Sequence, residues 1–355
     1  MRVLHVINSL GVGGAEKMLL DIVVCMRRKL SFSVDVLVLA DVDISLKNEF
    51  LNAGVNVISL NKPTRYSLSN LLPIIKIVSN YDVIHSHLFP SNYWIAIASL
   101  FVRKPRFVTT EHSTHNRRRE HFAFKILDRA VYSRYQAIIA ISDDTKARLL
   151  SWIGHTDKIN VIYNAVNLDV YSGSSDEVSS NTEYSKNFTI IMVSNFSKQK
   201  DHETVIRAMK HLPKDINLLF VGDGERKEHI ISLAKDLYLN DQITFLGTRK
   251  DVPALIKNSD LVVVSSHWEG FGLVAVEGMA SKKPVVASDV DGLRQVVEGA
   301  GLLFRKGDDV DLASKISSLY QNRQLYDNVC EKCHMRSKDF SIEKLVEKYV
   351  EVYRN

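Results

Sequence analysis

The stretch LVVVSSHWEGFGLVAVEGMA, residues 261–280, contains the features that decide the fold. Its first four apolar residues predict a buried strand, Gly270 and Gly272 permit a tight turn, and the apolar run that follows predicts a helix. Repetition of such strand-turn-helix units builds a parallel sheet. The turn also carries Glu269, and Glu277 lies about two helical turns further on. Buried carboxylates are costly unless they are paired, so we expect a polar ligand between the two glutamates.

The same alternation of apolar runs and amphipathic helical stretches extends over almost the whole chain. The strand-like runs are residues 3–8, 34–40, 55–60, 83–86, 107–110, 137–142 and 159–162, and then 188–193, 218–221, 243–246, 261–264, 285–288 and 302–304. The polar, serine-rich segment 171–186 separates the two series and predicts a linker. We therefore predict two Rossmann-like α/β domains, residues 1–170 and 187–339. Apolar residues at helical spacing in 342–353 predict a terminal helix.

Length and composition are those of a soluble two-domain protein. The 355 residues exceed the roughly 250 to 300 at which a single core usually stops growing. No apolar run reaches the roughly 20 residues of a membrane span, and no signal-peptide core follows the N-terminus, so we expect a cytoplasmic protein. Three cysteines are too few for a disulfide framework, and the lone pair Cys330 and Cys333 has no second pair of metal ligands.

Positive charge is concentrated in the first half of the chain. Residues 1–170 contain 21 Lys and Arg against 14 Asp and Glu, a net charge of +7. The whole chain has a net charge of +5, so the remaining residues carry a net charge of −2. Residues 115–135 place three arginines ahead of an amphipathic helix that carries Phe122, Ile126 and Leu127. A solvated surface helix explains this pattern, and so does attraction to an anionic membrane surface or a phosphorylated acceptor. No recognised nucleic-acid-binding motif accompanies the charge, so we do not expect nucleic acid as a partner.

A glycine-rich loop follows the first predicted strand. It reads INSLGVGG over residues 7–14 and leads into a helix, whose N-terminal amides can bind phosphate. The spacing Gly11-x-Gly13-x-x-Glu16 lacks the third glycine of the dinucleotide fingerprint, which weakens an NAD interpretation. A tight βα turn without a ligand explains this loop about equally well.

Polar residues also follow other predicted strands. His112 comes after the strand 107–110, Lys198 and Lys200 come after the strand 188–193, and Gly222 opens the turn VGDGE. Ligands of open α/β sheets bind beyond the carboxyl ends of the strands, and a lysine there can neutralise phosphate. Taken singly, each of these motifs is also explained by a solvated loop.

As an ordered set, the motifs are similar to those of the retaining GT-B glycosyltransferases of family four. EGFGLVAVE resembles the family's Glu-x7-Glu signature. Six other motifs occur in the family's order over nearly the whole chain, namely GVGGAE, TEH, QKDHETVIRAM, VGDGE, FLG and KPVVASDVDG. The resemblance implies two Rossmann-like domains facing a central cleft, with a terminal helix at 340–355 that crosses back to the N-terminal domain. It also implies transfer of a sugar from a nucleotide diphosphate sugar to a carbohydrate or lipid-linked saccharide acceptor in surface polysaccharide biosynthesis, at the inner face of the cytoplasmic membrane.

The resemblance assigns roles to individual residues. Gly13 and Gly14 are expected to approach the donor diphosphate from the first domain, and Lys200 to bind it from the second. Glu269 is expected to contact the hydroxyls of the donor sugar, and Glu277 to hold the ribose.

Further residues complete this assignment. His112 matches the family's active-site histidine near the reacting centre. Asn195 stands where most members have an arginine, which removes one diphosphate contact for which Lys198 would compensate. The other donor-binding positions are Gly222, Phe271, Gly272 and Leu273.

The triplet Asp289-Val290-Asp291 resembles the metal-binding DxD of the other glycosyltransferase fold. We interpret it as a loop after a strand and expect neither a metal nor a cofactor, because GT-B enzymes generally stabilise the leaving diphosphate with helix amides and basic side chains. Three alternatives remain at this point. They are a nucleotide-sugar 2-epimerase of the same fold, an NAD-dependent oxidoreductase with Asp41 as ribose ligand, and a non-catalytic nucleotide-sugar binder.

Overall fold

The computed structural model describes residues 1–11, 13–30, 32–112, 119, 121–172 and 187–355. Most of the predicted linker and most of the arginine-rich segment before the predicted amphipathic helix lie outside the described residues. The chain separates into two compact units, Met1–Ala165 with Ile342–Asn355, and Val166–Ser341.

Strands and helices alternate along the described residues. The strands are β1 (Arg2–Ile7), β2 (Ser33–Val38), β3 (Asn56–Ser59), β4 (Val83–His87), β5 (Arg106–Glu111), β6 (Ala137–Ala140), β7 (Ile159–Val161), β8 (Phe188–Val193), β9 (Ile216–Val221), β10 (Ile243–Phe245), β11 (Leu261–Val264), β12 (Val285–Ser288) and β13 (Leu302–Phe304). The helices are α1 (Gly14–Leu30), α2 (Lys47–Asn52), α3 (Leu71–Val78), α4 (Ser91–Ala98), α5 (Phe122–Ser133), α6 (Asp143–Ile153), α7 (Leu168–Ser172), α8 (His202–Met209), α9 (Lys227–Asp236), α10 (Val252–Asn258), α11 (Leu273–Ala280), α12 (Asp291–Val297), α13 (Asp309–Gln321), α14 (Arg323–Ser337) and α15 (Ile342–Arg354).

The first unit is built on a seven-stranded parallel sheet in the order β3-β2-β1-β4-β5-β6-β7. One face packs against α1 and α15, and the other against α3, α4, α5 and α6. Side chains of β1 alternate between these two cores, with Val3 and Ile7 in one and Leu4 and Val6 in the other. The strand order reverses between β1 and β4, so the carboxyl ends of these strands form a topological switch point.

The second unit has a six-stranded parallel sheet in the order β10-β9-β8-β11-β12-β13. All four residues of β11 are buried, as expected for a parallel strand covered on both faces. A side chain on Gly278 of α11 would meet Val262 Cγ2 at 2.8 Å, so this glycine lets the helix approach the sheet closely. The switch point of this sheet lies between β8 and β11.

The terminal helix α15 belongs to the first unit, where it contacts α1. The six apolar residues predicted to form its packing face are all buried, namely Ile342, Leu345, Val346, Tyr349, Val350 and Tyr353. The predicted return of the terminal helix to the N-terminal domain is therefore confirmed, as are the two Rossmann-like sheets. No helix among the described residues combines the length and the apolar character that a membrane span requires.

Candidate functional site

Two loops meet at the switch point of the second sheet. The loop after β8 contains a 3-10 turn at Lys198–Lys200, and the loop after β11 leads into α11. The backbone amide of His267 donates to the carbonyl of Gln199 at 2.8 Å, and the Gln199 side-chain amide donates to the carbonyl of Trp268 at 2.9 Å. These two hydrogen bonds fix the loops against each other.

Lys200 and Glu269 form an ion pair across these loops. Lys200 Nζ bonds Glu269 Oε2, and Ser266 Oγ lies 3.4 Å from the same oxygen. The other carboxylate oxygen accepts the Gly270 amide at 3.3 Å. The side chains are 20% and 14% exposed, so both groups are partly desolvated and still reachable from solvent. Partial burial makes each charge depend on its partner, because an unpaired charge at such a position is costly.

The N-terminus of α11 lies at the end of the same loop. Gly272 precedes the helix with φ of +86°, and an added Cβ would meet Leu293 Cδ2 at 2.3 Å, so both conformation and space require glycine. The first amides of a helix have no partner within the helix and can bind an anion. Leu273 is the first residue of the helix. Phe271 is buried and packs edge-on against Phe340, with the two ring centroids 5.3 Å apart.

Glu277 lies on α11 and is almost completely buried. Its position about two turns beyond Glu269 agrees with the sequence prediction, since α11 spans the predicted residues. Its role as ribose ligand remains a prediction.

Glycines allow neighbouring loops to touch at this end of the sheet. A side chain on Gly222, which has φ of +139°, would lie 1.9 Å from the carbonyl oxygen of Ser194 in the loop after β8. Gly292 is not among the predicted site residues, yet a side chain there would lie 2.1 Å from the carbonyl oxygen of Glu269. Gly292 therefore determines how closely α12 approaches the Glu269 loop. Asn195 and Lys198 are exposed beside these loops.

Asp289 and Val290 of the DxD-like triplet lie in the turn between β12 and α12, as predicted, whereas Asp291 is the first residue of α12. Arg294 Nε donates to Asp289 Oδ1 at 2.6 Å, and Arg294 Nη1 lies 3.9 Å from Asp291 Oδ1. The hydrogen bond that Arg294 donates to Asp289 raises the pKa of Arg294, so a cation of the chain itself compensates these carboxylates.

Two carboxylates lie against the glycine-rich loop of the first unit. Side chains built on Gly11 and Gly13 would each meet a carboxylate oxygen at 2.3 Å, that of Asp43 and that of Glu16 respectively. Burial raises the pKa of Glu16. A diphosphate could approach Gly13 only if the Glu16 side chain moved away, because like charges repel. Gly14 is the exposed first residue of α1, and its predicted diphosphate contact remains a prediction, as does that of Gly13.

His112 follows β5 at the switch-point end of the first sheet, where three other histidines lie. His87 connects His112 to His5 by ring-nitrogen contacts of 3.1 and 2.9 Å, and the ring of His85 is tilted against that of His87 with centroids 4.3 Å apart. Burial lowers the pKa of His112 to about 4. His5, His85 and His87 were not predicted as site residues, although their inward positions on two strands were a usable signal.

Glu111, next to His112, is held by its own neighbours. Its carboxylate accepts the Tyr132 hydroxyl and Arg119 at 3.2 Å, so it is a structural group of the first unit.

Models of two families together match most of the chain. Residues 12–170 match "Glycosyltransferase Family 4", and residues 174–336 match "Glycosyl transferases group 1". An uncharacterized glycosyltransferase of Methanocaldococcus jannaschii is 31% identical over 327 residues, which are 86% of this chain and 86% of the relative.

Two further proteins are similar over nearly their full lengths. The N-acetylgalactosamine-N,N'-diacetylbacillosaminyl-diphospho-undecaprenol 4-alpha-N-acetylgalactosaminyltransferase of Campylobacter jejuni is 22% identical over 358 residues, 96% of this chain and 95% of the relative. The structure of Anabaena HepE in complex with UDP-glucose has a TM-score of 0.88 at 25% identity, covering 99% of this chain and 98% of that one. With several other curated relatives, the match spans only 44 to 61% of the relative's length.

Proposed function

The chain belongs to glycosyltransferase family 4, the group 1 glycosyltransferases, and from this premise we propose that it moves a sugar from a nucleotide diphosphate sugar to a saccharide acceptor with retention of anomeric configuration. The observation that carries the proposal is the Lys200–Glu269 pair beside the N-terminus of α11. A cation, a carboxylate and the N-terminus of a helix within one pair of loops match the phosphate and hydroxyl groups of a nucleotide sugar.

Lys200 and α11 stabilise the leaving diphosphate in this mechanism. Negative charge accumulates on the diphosphate as the glycosidic bond breaks, and a fixed ammonium with fixed amides lowers the free energy of that state. Phe271, Gly272 and Leu273 supply backbone amides along the donor. An ionised Glu269 only accepts hydrogen bonds, so it binds sugar hydroxyls and orients the reacting carbon.

Retention follows from attack on the face that the diphosphate leaves. Glu269 is held by Lys200 and Ser266, an arrangement that suits a hydrogen-bond acceptor better than an attacking nucleophile. The acceptor hydroxyl therefore attacks directly, and the departing phosphate oxygen takes its proton. Glu277 holds the ribose, and His112 contributes a hydrogen bond near the reacting centre.

The acceptor class we propose is a lipid-linked saccharide of surface polysaccharide biosynthesis, reached from an anionic membrane surface. The helix α5 supports this, since Phe122, Ile126 and Leu127 are 74%, 63% and 46% exposed. Apolar side chains at helical spacing on a basic half of the chain suit an interfacial helix. The Campylobacter jejuni relative is named for a diphospho-undecaprenol-linked acceptor.

Vesicle sedimentation tests the membrane part. Vesicles with anionic lipid should retain the protein at low salt, and Phe122→Ser with Ile126→Ser should release it, whereas Val310→Ser, an exposed apolar residue of the second unit, should not. Equal sedimentation of both variants, or no retention of the parent protein, would show that α5 does not bind the membrane.

A thermal-shift screen with a panel of nucleotide sugars, beginning with UDP-sugars, tests the donor. The best binder is then incubated with and without saccharide acceptors. Transfer that depends on acceptor supports the proposal, whereas rearrangement of the sugar without acceptor would identify an epimerase. Stabilisation by NADH alone would favour an oxidoreductase. Binding of a nucleotide sugar without turnover would favour a non-catalytic nucleotide-sugar binder.

A further inference from the structure

We propose that His87 is a positioning residue that sets the tautomer of His112, at the end of an imidazole chain that begins at His5. The inference rests on the proposed function only for the role of His112 in transfer. The imidazole chain is defined as His5, His87 and His112, from β1, the end of β4 and the residue after β5.

The chain consists of two contacts between ring nitrogens. His5 Nδ1 lies 2.9 Å from His87 Nε2, and His87 Nδ1 lies 3.1 Å from His112 Nε2. A neutral imidazole carries its proton on one nitrogen and a lone pair on the other. Each contact is a hydrogen bond only if one of its two nitrogens is protonated. Because both nitrogens of His87 are engaged, the tautomers of all three rings must point the same way.

The far end of the imidazole chain decides the direction. His5 Nε2 is buried and has no hydrogen-bond partner among the described residues. An orphaned buried N–H is rarer in proteins than an acceptor with an unused lone pair. His5 therefore carries its proton on Nδ1 and donates to His87, which donates from Nδ1 to His112 Nε2. His112 is left with its proton on Nδ1.

The surroundings keep these rings neutral. His5 and His87 are completely buried, and burial lowers the pKa of His5 to about 3 and that of His87 well below its usual value. The neighbouring ring of His85 does not compete for the same nitrogens, because its Nδ1 bonds the Tyr353 hydroxyl at 2.6 Å and its Nε2 bonds Thr110 Oγ1 at 2.7 Å.

A fixed tautomer makes His112 a hydrogen-bond donor through Nδ1–H. A donor stabilises an oxygen that gains negative charge in transfer, whereas the other tautomer would direct a lone pair at it. The groups buried around His112 thereby determine what it offers to the substrate.

Long-range ¹H–¹⁵N spectra of the full chain with ¹⁵N-labelled histidine read the tautomers directly, with His112→Gln used to assign the His112 signals. The expected result at neutral pH is a proton on Nδ1 of His5, His87 and His112. A proton on Nε2 of His112 would overturn the proposal. So would one tightly held divalent ion per chain in elemental analysis, because an ion among His5, His85 and His87 would take the lone pairs that form the imidazole chain.

Two substitutions of the same residue form a matched pair. An asparagine amide reaches the place of the imidazole Nδ1, and a glutamine amide that of Nε2. His87→Asn therefore keeps a donor for His112, while His87→Gln keeps only the contact with His5. We expect His87→Asn to preserve the Nδ1 tautomer of His112 and a kcat near the parent value. His87→Gln should give mixed His112 tautomers and lower kcat by roughly 100-fold, the low end of what a positioned proton donor contributes.

The outcomes separate the two proposals. Equal loss of kcat in both variants, with the His112 tautomer unchanged and melting temperatures lowered alike, would show that His87 is merely structural. If the parent protein transfers no sugar but its tautomers and their response to His87→Gln are as expected, the proposed function fails and the tautomer control stands.

Discussion

The two sheets of the molecule have the same topology around their switch points, but the groups placed there differ in charge. At the second switch point, Lys200 and Glu269 are ionised partners that solvent can still reach. At the first, buried imidazoles contact one another through their ring nitrogens and lead to His112. The difference indicates a division of labour, because a charged ligand is bound by charges that are paired and accessible, while a buried polar network can orient one side chain.

Removing either charge of the second switch point tests this division most severely. We expect Lys200→Ala and Glu269→Ala each to lower kcat/KM by about 100- to 1,000-fold, the scale of a lost electrostatic contact in the transition state. Steady-state transfer assays measure the effect, with circular dichroism as a check of folding. Lys214→Ala, an exposed lysine before β9, is the matched control and should leave transfer unchanged. Near-parental activity in either of the first two variants would refute the donor-site assignment.

A smaller effect is expected from moving the Glu269 loop without touching its charges. Gly292→Ala places a methyl group against the Glu269 carbonyl, which must shift, and displacements of about 1 Å at a reacting centre can cost up to about 100-fold in rate. For Gly292→Ala we expect kcat to fall by roughly 10-fold, which is within that limit. Gly299→Ala meets nothing within 4 Å and should cost only about 1 kcal/mol of stability, since its φ is +80°. Equal kcat in both variants would mean that the loop tolerates displacement.

Acid should destabilise the first unit more than the second. The pKa of His5 is lowered to about 3 and that of His112 to about 4, so between pH 6.5 and about 4 the unfolded chain binds protons that the folded chain excludes. The free energy of unfolding therefore decreases as the pH is lowered, by roughly 1.4 kcal/mol per pH unit for each such histidine. Burial also lowers the pKa of His85 and His87 in the first unit, whereas in the described part of the second unit it lowers the pKa of His202 to about 4 and that of His334.

Hydrogen exchange followed by mass spectrometry, corrected for intrinsic rates, measures this difference. Protection of β1, β4 and α15, which enclose the histidines together with Thr110, Tyr349 and Tyr353, should fall faster between pH 6.5 and 5 than that of β8 and β11. His5→Asn removes one titrating group and should reduce the slope. Parallel loss in the two units would contradict the contrast.

Chelation should have the smallest effect. Because Arg294 compensates Asp289 and Asp291, we expect EDTA to leave the transfer rate unchanged. A strict requirement for Mg²⁺ or Mn²⁺ would assign those carboxylates to a metal instead.

The sequence predicted the strands of the second unit most accurately. The runs at 188–193, 261–264, 285–288 and 302–304 coincide with β8, β11, β12 and β13, because buried parallel strands are continuous apolar segments bounded by polar turns. The helix face of α15 was predicted for the same reason, since its apolar residues recur at helical spacing.

The contacts between distant residues were less accessible. The residue pattern predicted a polar ligand beside Glu269 and a lysine at a strand end at Lys200, the resemblance assigned both to the donor, and their direct contact required the structure. The imidazole chain could not be predicted, because it depends on β4 lying beside β1 with His85 opposite His5, and neighbouring strands in a sheet are not neighbours in sequence. The carboxylates of Asp43 and Glu16 against the glycine loop are likewise a matter of packing.

A crystal structure of the complex with the best-binding nucleotide sugar from the screen would show directly which groups bind the donor. We expect a diphosphate oxygen about 2.8 Å from Lys200 Nζ, the distance of a charge-assisted hydrogen bond, and a sugar hydroxyl on the Glu269 carboxylate. A sugar nucleotide bound elsewhere, with Lys200 and Glu269 still paired and neither in contact with the ligand, would show that this pair does not bind the donor.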